Sequence, residues 1–162
     1  DLMALNDVDA WAAVAALYRA PFLHGIYVDG APELENWLLR EQERWQGEFI
    51  RLLNQLATYH AERAAYVQAF AFTQQILAIE PWREETHRQA MLLLARRGQT
   101  NAALAQYETC RRTLQAELDV DPARETKSLR ARLAAVAHDG GGEPLQRAAE
   151  RDGPEPGPLD VG

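Results

Sequence analysis

Four histidines, one cysteine and several closely spaced carboxylates are the side chains here whose types could do chemistry. His24, His60, His87 and His138 show no metal-ligand spacing. Glu84 stands on the helical face of His87, but no third ligand is near. His87 is therefore read as a packed histidine that bonds a neighbour, and His24 as a histidine packed in a loop. Cys110 has Arg111 and Arg112 beside it, and flanking cations can lower a thiol pKa. Its place on one face with Ala103 and Tyr107 predicts a buried, inert thiol instead. Glu33 and Glu35, like Glu41 and Glu43, are two residues apart, and on a helix such pairs point in different directions. They are expected to be solvated. Ser128 lacks a G-x-S-x-G turn. Gly140-Gly141-Gly142 lacks the G-K-[ST] of a phosphate loop. No catalytic, cofactor-binding or metal-binding residue is assigned, and the chain is not read as an enzyme.

The remaining candidates recognise rather than react. Residues 83–138 carry ten basic and seven acidic side chains, a net of +3, within a 162-residue chain of net charge −7. Solvated faces account for Arg83, Arg88, Arg96, Arg97, Arg111 and Arg112. The sharper reading makes them a basic lip on a groove for an acidic or phosphate-bearing partner. An acidic chain is poorly suited to gripping nucleic acid, whose non-specific affinity comes from phosphate neutralisation. Periodicity places most of Trp11, Trp37, Trp45 and Trp82 in the core, with Trp82, after Pro81, the one expected to be partly exposed.

The elements that must position these residues are helices. No Val/Ile/Thr alternation persists, whereas apolar residues recur at helical spacing up to about residue 137. Helices are expected over about 8–18, 32–64, 66–79, 83–97, 100–118 and 122–137. Pro32 and Pro122 suit helix starts, Glu33 and Glu35 complement the first-turn dipole, and Gly98 suits the left-handed residue after a C-cap. Residues 21–30 read as an apolar loop tucked against the helices. The 139–162 segment, dense in Gly and Pro, reads as a flexible linker after a domain spanning 1–138. With one cysteine, no signal peptide ahead of the first helical segment and no apolar run near the ~20 residues of a membrane span, the expected location is cytoplasmic and away from membranes.

A weak internal repeat organises these helices. Leu53, Leu56, Ala64, Tyr66, Ala69, Ile76 and Pro81 each stand 34 residues before His87, Ala90, Gly98, Thr100, Ala103, Cys110 and Gln115. That is the period of a tetratricopeptide repeat, an antiparallel helix pair stacked on the next. Ala69 and Ala103 are small where the helices of a pair cross, and Gly98 and Ala64 turn the chain. The predicted fold is all-α, with tetratricopeptide-like helix pairs forming a short right-handed superhelix. Another helical bundle is the alternative.

The run Pro81-Trp82-Arg83-Glu84-Glu85-Thr86-His87-Arg88-Gln89-Ala90-Met91 resembles the P-x-R-E-E-x-H-R-x-x-M segment of the bacterial transcriptional activator domain of SARP and AfsR-like regulators. The resemblance continues through Gly98, Ala103–Glu108, Leu114, Glu117-Leu118, Asp121-Pro122, Glu125-Thr126 and Leu129. Upstream, residues 17–25 are similar to the family's L-Y-R-G-x-F-L-x-G, and Trp37 to Arg44 to its W-L-x-x-E-R-x-R. Asp119 replaces the family's usual Gly, so that turn is expected to be slightly strained, and Ala20 replaces a frequent Gly. The resemblance implies a piece of a larger regulator, without the family's upstream DNA-binding domain. Residues 157–162 are similar to the approach to an F-V-G-R-E segment that opens a nucleotide-binding domain, with a plain linker as the favoured reading.

The expected function is an accessory protein-interaction and signal-coupling domain of a bacterial transcription regulator. Its partners would be proteins (a second copy, RNA polymerase or neighbouring regulator domains), with no cofactor and no direct DNA binding. Tyr59, Arg63, Arg88, Met91 and Arg96, from the first helix of each repeat, are the candidate partner-binding residues. The rival is a small-molecule sensor that binds its ligand between the loop at residues 21–29 and the repeat helices.

Overall fold

A computed structural model describes residue 13 and residues 32–139. The expected first helix at 8–18, the apolar loop with His24, Trp11 and the 140–162 part of the expected linker lie outside the described residues. Five helices follow in order among those described: α1 (Pro32–Glu62), α2 (Tyr66–Ile79), α3 (Glu84–Arg96), α4 (Thr100–Leu118) and α5 (Arg124–Asp139).

Their limits have local causes. Pro32 opens α1, with Glu33 and Glu35 in its first turn, and Glu84 and Glu85 open α3; carboxylates there offset the partial positive charge of unpaired N–H groups. The chain leaves α3 through Gly98 at φ 73°, with Gly98 N–H donating to Ala95 O at 2.9 Å and Gln99 N–H to Leu94 O at 3.0 Å. This pair of bonds satisfies carbonyls that the helix end would otherwise leave open. The same pair closes α1: Ala64 N–H donates to Ala61 O at 3.1 Å and Ala65 N–H to His60 O at 2.9 Å, with Ala64 at φ 57°. The two turns stand 34 residues apart bond for bond, so the sequence repeat is a structural one.

Burial follows the same register. Leu53 and His87, Leu56 and Ala90, Ala69 and Ala103, and Ile76 and Cys110 are all buried. One core cluster joins Phe49, Ile50, Leu53 and Leu56 of α1 to Ile76 of α2. A second joins Met91 and Leu94 of α3, Ala103 and Tyr107 of α4 and Leu129 and Leu133 of α5, with Phe70 of α2 packed against it. Each helix packs on its sequence neighbours, and α3 also touches α5. Two stacked antiparallel pairs, α1 with α2 and α3 with α4, thus carry α5 as the first helix of a third. The fold is all-α and tetratricopeptide-like.

The copies are not identical. With 19 residues, α4 outruns the 14 of α2 and ends at Asp119 in the left-handed region, at φ 53° and ψ 39°. The backbone conformation expected of a glycine is therefore taken by an aspartate, whose Oδ1 accepts from Gln115 Nε2. At its other end the stack departs from expectation. Trp37 and Trp45 are 48% and 42% exposed, not core. Only the second half of α1, from Phe49 on, is clamped by α2, because α2 is too short to reach the first half. Trp82, in the turn between the pairs, is 42% exposed. Among the described residues, no helix is long and apolar enough to cross a membrane.

Candidate partner-binding site

The sequence-derived site residues lie on α1 and α3, the first helices of the two pairs, with Arg63 just past the end of α1. Tyr59 is half-buried and Arg63 exposed, one helical turn on. The Arg63 guanidinium sits 3.5 Å from the Tyr59 ring centroid, and its Nη1 donates to Tyr59 O at 3.2 Å. The guanidinium thus stacks on the face of the ring, whose π-electrons attract it, while the residue stays exposed. Beside them a shallow hollow of about 350 Å³ is lined by Asn54, Gln55, Thr58, Tyr59 and Glu62. Arg96, exposed at the end of α3, lies 5.9 Å from the ring of Tyr66 on α2.

Met91 does not join this surface. It is 0% exposed and packed in the second core cluster with Leu129 and Leu133. The reason is tertiary: α5 docks on α3 and covers the face that a two-helix repeat would leave open. Arg88 is withdrawn too. It is half-buried, and its Nη1 donates to Thr126 Oγ1 at 3.0 Å. Thr126, 0% exposed, donates that hydroxyl to Glu84 Oε2 at 2.7 Å. Glu84 also accepts the Ala123 N–H, at 2.9 Å to Oε2 and 3.2 Å to Oε1. A carboxylate from the start of α3 thus meets the start of α5, where the helix dipole favours negative charge. Glu84, Arg88 and Thr126 form a polar clasp between successive first helices. Sequence reasoning missed this clasp, since its members lie up to 42 residues apart. It missed Leu92 as well. Leu92 is 44% exposed and stands midway between Arg88 and Arg96 on α3, a position readable from the i, i+4, i+8 spacing.

The other arginines are mostly engaged. Arg83 pairs with Glu80 at 3.1 Å and Arg111 with Glu108 at 2.9 Å, while Arg112 Nε donates to Glu108 O at 3.4 Å. Exposed pairs of this kind contribute little stability, and they weaken the idea of one basic lip.

Neither side chain with reactive potential is placed for catalysis. His87, 2% exposed, shares its Nε2 proton with Pro81 O at 2.8 Å, and its Nδ1 accepts from Gln106 Nε2 at 2.8 Å. Burial holds its pKa below the ordinary value, against the raising influence of the Pro81 carbonyl and Glu84, so the ring is neutral. The Cys110 thiol is 0% exposed, and burial, aided by Glu84, pushes its pKa up to about 12. No group of three or more His, Cys, Asp or Glu side chains among the described residues could hold a metal ion. Below His87 a cleft of about 420 Å³ opens between α2 and α4.

Stacked helix pairs with paired or buried polar groups define a helical-repeat scaffold. The chain belongs to the bacterial transcriptional activator domain family, whose sequence model matches residues 6–134. That family is found in transcription regulators and is a regulatory family, not an enzymatic one. No curated protein and no solved structure matched the chain.

Proposed function

We propose that this chain is the protein-interaction and signal-coupling domain of a SARP or AfsR-like regulator, and that partners dock on α1 and α3. The observation that carries this is the disposition of Arg63 and Arg96. Each is exposed at the C-terminal end of a first helix, each is set over a tyrosine ring, and neither has a carboxylate ion-pair partner among the described residues. With Tyr59 and Leu92 they offer the mix of aromatic, aliphatic and guanidinium groups that dominates binding energy at protein interfaces. Arg88 serves this surface indirectly, by fixing α5. The partner is a second copy, RNA polymerase or a neighbouring regulator domain, and DNA is not contacted directly.

The test is sedimentation of the chain alone and a titration of the labelled chain with RNA polymerase holoenzyme. Self-association or polymerase binding is expected. Arg63→Glu combined with Arg96→Glu should weaken it about tenfold or more, which corresponds to about 1.4 kcal/mol, with the melting temperature unchanged. Arg88→Glu is the wrong probe, because it breaks the clasp and destabilises the fold. A double variant that binds as the parent does would overturn this surface.

A further inference from the structure

The cleft between α2 and α4 is walled without a single charged side chain. Its residues come from the second helices, from the turn at Pro81 and from the start of α3, so it is distinct from the surface that carries Arg63 and Arg96. Its polar groups are held in fixed roles. Pro81 O can only accept, so His87 Nε2 carries the proton and Nδ1 is left as an acceptor, which Gln106 Nε2–H fills. The Gln106 amide is thereby oriented, and its Oε1 has no partner among the described residues. That oxygen is open to solvent, since no buried side-chain polar atom among the described residues lacks a partner. The Gln74 amide and the Thr113 hydroxyl likewise have no partner among the described residues. Leu77 and Pro81 supply an apolar floor.

We propose that this cleft is a second docking site, which takes an extended, uncharged peptide segment and pairs its backbone amides with Gln74, Gln106 and Thr113. A peptide backbone presents one donor and one acceptor per residue, the complement of amide and hydroxyl side chains. The seven-residue step from Gln106 to Thr113 along α4 covers about 10.5 Å at ~1.5 Å per residue, the reach of about three extended residues. A charged side chain entering the cleft finds no counter-charge among its lining residues, which selects against it relative to a neutral one. A volume of about 420 Å³ lies within the usual range for ligand sites. Two separate docking faces on one rigid stack would let the domain hold two protein segments at once.

The experiment is an NMR titration of the ¹⁵N-labelled full chain with the capped tripeptide acetyl-Ala-Ser-Ala-amide, and with its Asp-centred and Lys-centred counterparts. The neutral peptide is expected to shift the side-chain amide signals of Gln74 and Gln106 saturably, at millimolar concentration. The charged peptides should bind about fivefold more weakly or worse. Gln74→Ala removes an exposed group without disturbing the fold and should weaken binding about fivefold, the worth of one hydrogen bond near 1 kcal/mol. Arg63→Glu combined with Arg96→Glu should leave this binding unchanged, which separates the cleft from the α1–α3 surface. Absence of a saturable shift at Gln74 and Gln106, equal affinity for the charged peptides, or an unaltered titration of Gln74→Ala would overturn the proposal.

Discussion

At the scale of the residue, burial decides what His87 and Cys110 can do. The Cys110 thiol, pushed up to about 12 and 0% exposed, holds almost no thiolate at neutral pH. Native protein at pH 8 is therefore expected not to react with Ellman's reagent over an hour, and to release one equivalent of product once guanidinium unfolds it. Prompt reaction of the native chain would show the thiol to be reachable. His87 sets a pH dependence whose sign follows from its lowered pKa. Below about pH 6.5, the ordinary histidine value, the unfolded chain takes up a proton that the folded ring refuses. Stability from this group is complete above that pH. It is lost as pH falls towards the folded pKa, by at most about 1.4 kcal/mol per pH unit. Thermal melts between pH 7.5 and 5.5 should show a shallower decline for His87→Gln than for the parent, and parallel curves would remove His87 as the cause.

At the scale of the element, the connections carry the strain and the crossings carry the packing. Ala64 is held at φ 57°, a conformation costing a residue with a Cβ about 1–2 kcal/mol. Glycine relieves that cost but gives part of it back as chain entropy. Ala64→Gly should therefore stabilise the domain by about 0.5–1 kcal/mol, read as a raised denaturant midpoint. Gly98→Ala should do the opposite by about 1 kcal/mol. A Cβ at Gly98 meets nothing within 4 Å, so that loss is conformational and not steric. If Ala64→Gly were destabilising, the two turns would not be equivalent. Ala103, 0% exposed in the core of the second pair, tests the crossing itself. Ala103→Glu forces a charge into a close helix contact and should cost several kcal/mol, about 3 or more. A melting temperature equal to that of the parent would refute the repeat register.

At the scale of the whole molecule, electrostatics favours protein partners over nucleic acid. The net charge of −7 opposes phosphate, the basic side chains of residues 83–138 are interleaved with acids, and Arg83, Arg111 and Lys127 are ion-paired. Fluorescence anisotropy with random-sequence duplex DNA at about 0.15 M salt, where the Debye length is roughly 8 Å, should show no binding. Salt-sensitive affinity tighter than about 10⁻⁶ M, the strong end of non-specific binding, would overturn that expectation. The same stack that spreads its charge holds its pieces through both apolar clusters and the Glu84–Thr126–Arg88 clasp. Perturbing α5 is thus expected to reach α3 directly.

The sequence by itself determined the five described helices, their limits to within a few residues, the 34-residue repeat and the family. These are local or periodic properties: apolar spacing, a glycine after a C-cap, a proline between pairs and a motif such as Pro81–Met91. It also determined that Cys110 and His87 would be packed, since both fall on the buried stripe of their helices. Only the tertiary structure decided which side of a helix remained open. Met91 reads as a lining residue until α5 covers it, and Arg88 reads as a free cation until Thr126, 38 residues away, receives it. Trp37 and Trp45 read as core because their spacing is helical, yet whether an apolar stripe is buried depends on the length of the helix opposite, and α2 stops short of them. Periodicity fixes the face that a helix offers, whereas its neighbours fix what becomes of that face.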